Sequence, residues 1–160
     1  MASIKTELKW ATKFIAMMLL WMMLEKLAGL HDQHIDKHAI FTNFIAIPSI
    51  IIYVLALLDK RKTDYNGYMT YKQGLISGLI ITAIITILTP FTQYITSTII
   101  TPNYFTNVIN YSVETGKMAQ KDAESYFNLR SYMIQATIGA AIMGTITSLI
   151  VAIFTRKKPV

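Results

Sequence analysis

The sequence predicts an all-α fold, an integral membrane four-helix bundle with a short interfacial helix in the outer loop between spans three and four. Three observations carry this prediction. The residues are 53% hydrophobic and only 15% charged, well below the roughly 25% charge of soluble domains. The apolar residues gather in blocks of about 20, the length that crosses a bilayer as a helix. Lys and Arg gather at the ends of alternate blocks, as they do on the cytoplasmic side of multi-pass proteins. The chain, residues 1–160, reads as one transmembrane domain.

The first span is expected over Trp10–Leu30. Its Lys-rich approach invites comparison with a cleaved signal. Leu30 stands where a lipidated Cys would be, however, and the apolar run exceeds a signal h-region, so it is read as a retained helix. The second span is expected over Ala39–Leu58, with Pro48 introducing a kink or local loosening. The third, Tyr71–Ile99, is longer than a crossing needs, which implies tilt or an emergent turn. The fourth covers Ser131–Phe154. Lys5, Lys9 and Lys13, then Lys60, Arg61, Lys62 and Lys72, then Arg156, Lys157 and Lys158 all fall on one side, so both termini are expected in the cytoplasm.

The longest loop, Thr101–Arg130, carries its own helical signal. Pro102 suits a first helical position, and Phe105, Val108, Ile109 and Val113 recur at helical spacing before Gly116, a natural stop. This is read as the interfacial helix. From Met118 a second stretch is expected to run through Tyr126 and Phe127 into the fourth span.

Small residues recur every fourth position on two spans: Gly74, Gly78, Thr82 and Thr86 on the third, and Ala136, Ala140, Gly144, Ser148 and Ala152 on the fourth. Such ladders let backbones approach closely, so the third and fourth spans are expected to pack on each other. On the first span Met17, Met18, Trp21, Met22 and Met23 are expected to face lipid or to fill irregular gaps.

A net charge of +6 invites a nucleic-acid reading, but the cations sit at the ends of apolar blocks and form no aromatic-interleaved patch. No nucleic-acid partner and no cofactor are expected. With no Cys, disulfides, thiolate nucleophiles and Cys-based metal sites are excluded. HExxH, Gly-x-Ser-x-Gly, phosphate-binding Gly loops and paired intramembrane Asp residues are also absent from the sequence, so no enzyme is expected.

Glu25 is the most informative residue, because an ionisable group inside a span points to function. Asn43, Gln93 and Gln135 fall at similar depth on the other spans. They read either as near-interface residues bonding one another or headgroup water, or as the lining of a polar vestibule open to the outside. The following turn reads His31-Asp32-Gln33-His34-Ile35-Asp36-Lys37-His38. On a continuous helix His31, His34 and His38 would share a face able to hold zinc. The chain must turn there, however, so a solvated polar turn without metal is the expectation.

Trp21 to Glu25 with Gly29-Leu30-His31-Asp32, Gly67-Tyr68-Met69-Thr70-Tyr71-Lys72-Gln73-Gly74 with Ser77-Gly78, and Pro102-Asn103-Tyr104-Phe105 together resemble a family of short bacterial inner-membrane proteins of unknown function. The resemblance covers essentially the whole chain. It implies four spans and a bacterial inner membrane, and it brings no activity and no catalytic residues. Two functions remain open. One is a non-enzymatic protein acting through helix packing, with membrane lipids and a second copy or another membrane protein as partners. The other is a small transporter, channel or ligand sensor built around Glu25.

Overall fold

The computed structural model describes residues 4–159. Its helices are α1 (Lys5–Leu27), α2 (Ile35–Phe41), α3 (Ala46–Thr63), α4 (Tyr71–Ile95), α5 (Tyr104–Glu114), α6 (Gln120–Tyr126) and α7 (Leu129–Thr155). No strand occurs among the described residues; Met69 and Lys157 form an isolated antiparallel bridge. Three helical stretches are long and apolar enough to cross a membrane: Ile35–Thr63, Tyr71–Ile100 and Leu129–Thr155. α1 is comparably long at 23 residues, but Lys13, Glu25 and Lys26 make it more polar than the other three.

The two prolines act differently. Pro48 lacks the N–H that would bond the Phe44 carbonyl, and the turn before it, Thr42–Ile45, tightens to a 3-10 helix that joins α2 to α3. Pro90 lies inside α4, which continues past it to Ile95 and then widens into a π turn, Thr96–Ile100. The N-terminus of α4 is fixed by a capping box. The Gln73 backbone N–H donates to Thr70 Oγ1 (3.3 Å), and the Thr70 backbone N–H donates to Gln73 Oε1 (2.8 Å).

α4 and α7 run antiparallel along their small-residue ladders. A Cβ added at Gly78 would lie 2.8 Å from Ser148 Cβ, and one at Gly144 would lie 2.6 Å from Thr82 Cγ2. Between them Ser148 is fully buried, and Thr82 shares hydrogen bonds with Tyr53 (2.8 Å) and Ser148 (3.3 Å). Ala140 packs at the edge of the same core, with Tyr53, Leu57, Ile81, Ile85 and Val151 at its centre. α1 lies along α3 and α4: Phe14 meets Tyr53 edge-on at 5.9 Å, and Ala11 is fully buried.

The end of the molecule that carries both termini is closed by ion pairs. Glu7 and Lys60, 1% and 2% exposed, meet at 2.9 Å, and Ser77 Oγ donates to Glu7 (2.8 Å). Lys60 also pairs with Asp64, and its ammonium holds that carboxyl below the usual carboxylate range. Asp59 takes hydrogen bonds from Lys9 and from the Trp10 indole (2.7 Å).

At the opposite end, α6 does not run on into α7. Phe127 leaves the helical region, and Asn128 takes an extended conformation from which its side chain accepts the Ser131 N–H (2.9 Å). The Asn side chain offers the first turn of α7 a cap that a continuous helix would leave unused, so the chain breaks where the apolar pattern alone suggested continuity.

Candidate ligand site at the loop end

The last turn of α1 sets up the site. Gly29 adopts φ +74°, which a side chain would strain. The Leu30 N–H bonds the Glu25 carbonyl (3.0 Å) and the Gly29 N–H bonds the Lys26 carbonyl (2.9 Å), a Schellman ending. This turn reverses the chain and returns His31 toward Glu25 on the helix it has just left. After a further turn, α2 brings in His38.

Glu25 is 3% exposed. Its Oε2 lies 3.2 Å from His31 Nε2 and 3.4 Å from His38 Nε2. Its Oε1 accepts the Trp21 indole N–H at 2.6 Å. His38 Nδ1 meets the Tyr104 hydroxyl at 3.2 Å, and that hydroxyl meets Tyr132 at 3.3 Å. The rings of His31, His38 and Tyr104 stand edge-to-face in a triangle with centroids 5.0, 5.2 and 5.3 Å apart. Burial pushes the Tyr104 phenol above its ordinary range, so it remains a hydroxyl. From α5, Asn107 donates to the His31 carbonyl (2.9 Å) and clasps the turn from above. α5 itself ends at Gly116, φ +68°, in a second Schellman ending.

The three histidines of the turn therefore separate. His31 and His38 converge on Glu25 through a reversal of the chain, whereas His34 is exposed and outside the cluster. The amides expected at this depth do not bond the carboxylate. Asn43 donates to the Ala39 carbonyl (2.7 Å), Gln93 to Ser97 Oγ (3.0 Å) and Gln135 to Ser131 Oγ (2.8 Å). All three instead line a cavity of about 910 Å³ beside the histidines, whose rim includes the exposed Asp36, Lys117 and Tyr126. A second cavity, about 470 Å³, continues between α1, α3, α4 and α7 as far as Tyr53 and Gly144. The two share Met22, Thr42, Asn43, Gln93, Thr96, Ala136 and Gly139 as walls, so they adjoin as the two lobes of a chamber. Met18 lines its deeper lobe and Met22 lines both.

Trp21, Tyr104, Asn107 and Tyr132 belong to this site; Trp21 and Tyr104 lie in the family-like segments, but nothing in the sequence assigned any of the four to Glu25. Trp21 had a usable signal: it stands four residues before Glu25, on the same helix face. It spends its indole N–H on that carboxylate and is no mere gap-filler. Tyr104 and Tyr132 reach the site only through the tertiary fold.

The profile described as "Protein of unknown function (DUF4199)" matches residues 9–157. The chain belongs to the DUF4199 family. The match runs from within α1 through the end of α7 and includes the residues of the chamber and of the Glu25 cluster. No curated protein and no solved structure matches the chain. Family membership and three apolar helices together mark a membrane protein of a family without an assigned activity.

Proposed function

We propose that this is a non-enzymatic binding protein of the bacterial inner membrane, crossing it four times with both termini in the cytoplasm. Its chamber opens outward, and the Glu25 cluster forms the polar end. The observation that carries this reading is the convergence of His31 and His38, which line the chamber, on the buried Glu25, with the other walls drawn from all four long helices. A chain that served only to pack against partners would have no need of an intramembrane carboxylate facing two imidazoles that line a cavity. The small-residue ladders, moreover, are consumed within the chain by α4–α7 contact, so they are not free to dock a partner.

Support for α1 as the fourth crossing comes from its packing. Its terminal-end charges meet α3 and α4 through Glu7–Lys60 and Ser77, and its far end holds Glu25. Lys13, the charge within its apolar run, lies over the Trp10 ring at 4.2 Å and reaches back toward the terminal end. The Lys/Arg bias supports the orientation.

The Cys-free sequence makes a direct test possible. Single substitutions Thr63→Cys and Gly116→Cys, challenged in intact cells with a membrane-impermeant thiol reagent, should label at Gly116 and stay protected at Thr63. Protection at Gly116 with labelling at Thr63 would reverse the orientation and refute the outward chamber. Gly139→Phe tests binding itself. Gly139 has open space around it, so the ring should fill the chamber, preserve the fold and remove small molecules or lipid that copurify with the parent in native mass spectrometry.

A further inference from the structure

We infer that the Glu25 cluster is a binding site for a divalent transition-metal cation of the zinc type, held by Glu25 Oε2 and one ring nitrogen each of His31 and His38. The inference rests on the outward-facing chamber proposed above and gives it a ligand class.

An ionised carboxylate offers only acceptor sites, and a neutral imidazole carries a single N–H. His38 Nδ1 is engaged by Tyr104, and His38 Nε2 faces Glu25 at 3.4 Å without making a hydrogen bond. His31 Nδ1 is buried with no partner, on a residue 6% exposed. A buried polar nitrogen without a partner is uncommon and costly, and calls for an occupant. A cation between the carboxylate and the two Nε2 atoms gives His38 Nε2 a partner and takes the place of the His31 Nε2–Glu25 hydrogen bond (3.2 Å); it does not engage His31 Nδ1.

The spacing fits such an ion. Metal bonds of about 2.0–2.1 Å at tetrahedral angles place neighbouring ligand atoms roughly 3.3 Å apart. Glu25 Oε2 stands 3.2 and 3.4 Å from the two Nε2 atoms, and a ligand atom from each of the three residues falls within 4.8 Å of the others. The supporting contacts are those that ligands of a metal need. Trp21 fixes the carboxylate through Oε1, and Tyr104 engages the far nitrogen of His38 and orients its ring. Two imidazoles and one carboxylate favour zinc and its first-row neighbours over Mg²⁺ and Ca²⁺, which take oxygen ligands. Three protein ligands leave a fourth position, and both histidines line the chamber, so water or a chamber ligand can complete the set.

The test is Zn²⁺ titration of the full chain in detergent, purified without a polyhistidine tag and stripped with chelator, against a chromophoric competitor. One Zn²⁺ per chain is expected, undisturbed by Mg²⁺ or Ca²⁺. Glu25→Gln and His38→Gln should each abolish stoichiometric binding, His34→Gln should leave it intact, and Trp21→Phe should weaken it by roughly 10–100-fold. If Glu25→Gln fails to fold by helix content and gel filtration, His38→Gln, nearer the rim, carries the test. Absence of stoichiometric Zn²⁺ from the parent overturns the inference, as does binding that survives both ligand substitutions. If zinc fails while Gly139→Phe still displaces copurifying molecules, only the metal assignment falls; if both fail, the chamber reading falls with it.

Discussion

Glu7 and Glu25 stand at the two ends of the same helix, both buried, and their surroundings differ in kind. Glu7 faces the Lys60 ammonium and the Ser77 hydroxyl, is closely packed, and borders none of the chamber. Glu25 faces two imidazoles, each with a buried nitrogen that makes no hydrogen bond, and the chamber lies beside them. The first arrangement is electrostatically complete and locks α1 to α3 and α4. In the second, Glu25 is held by the Trp21 indole and His31 Nε2, while His31 Nδ1 and His38 Nε2 make no hydrogen bond and both rings border the chamber. Buried charge at a helix end is thus not in itself a mark of function; the match between the charge and its partners separates a lock from a site.

The largest expected effect breaks the lock. Lys60→Met would leave Glu7 buried without its cation, and removing one partner of a buried pair costs about 3–5 kcal/mol. Thermal aggregation in detergent should show a large loss, much of it recovered in the double variant Glu7→Leu/Lys60→Met. His38→Gln at the other end should move the midpoint far less. Equal losses at both ends would erase the distinction.

Two glycines on α7 sharpen the same contrast. At Gly144 an added Cβ would sit 2.6 Å from Thr82 and 2.9 Å from the Tyr53 hydroxyl, while at Gly139 it would meet nothing within 4 Å. Gly144→Ala should cost about 1–3 kcal/mol by overpacking. Gly139→Ala should be neutral or stabilising by up to about 1 kcal/mol, since alanine is the better helix former. A scan of melting temperatures in one detergent decides it, and equal costs would place Gly139 in a tight contact that the chamber excludes.

At Glu25 the effect depends on what replaces the carboxylate. Glu25→Gln keeps the shape and the Trp21 hydrogen bond, so the melting temperature should stay near that of the parent. Glu25→Leu leaves the indole N–H and the facing imidazoles without their acceptor, which typically costs about 1–3 kcal/mol for a buried group. A Leu variant more stable than the parent would mean that Glu25 reaches lipid and not the histidines.

The smallest effect is one of pH. Lys60 lowers the Asp64 carboxyl relative to the unfolded chain, so Asp64 contributes stability above its unfolded value near pH 4, and that contribution fades as pH falls through the lower folded value. Melting curves of Asp64→Asn and parent should converge on acidification. Parallel curves would remove Asp64 from the lock.

Much of the fold was legible because its signals are local. The apolar blocks at Ala39–Leu58, Tyr71–Ile99 and Ser131–Phe154 fall within helices, Pro48 adjoins a 3-10 turn, and Gly116 ends α5. The ladders of α4 and α7 show on one strand of sequence which faces can approach. Glu25 was legible as a charge out of place. Its partners were not, because His31 returns to it only through the reversal at Gly29, which spacing along a continuous helix cannot represent, and Tyr104 arrives from a helix formed by a distant loop. The break at Asn128 was missed because apolar periodicity ran across it, and the Asn cap outweighed the pattern.

The central claim is that the chamber below Glu25 is reached from outside the cell, and Gly139→Cys tests it most directly. The residue lies on the wall shared by both lobes and has room for a side chain. In intact cells a small membrane-impermeant thiol reagent should modify it, more slowly than Gly116→Cys, while Ser77→Cys beside Glu7 stays unmodified. Unreactive Gly139→Cys in cells where Gly116→Cys labels fully, or labelling only in inverted vesicles, would contradict the account.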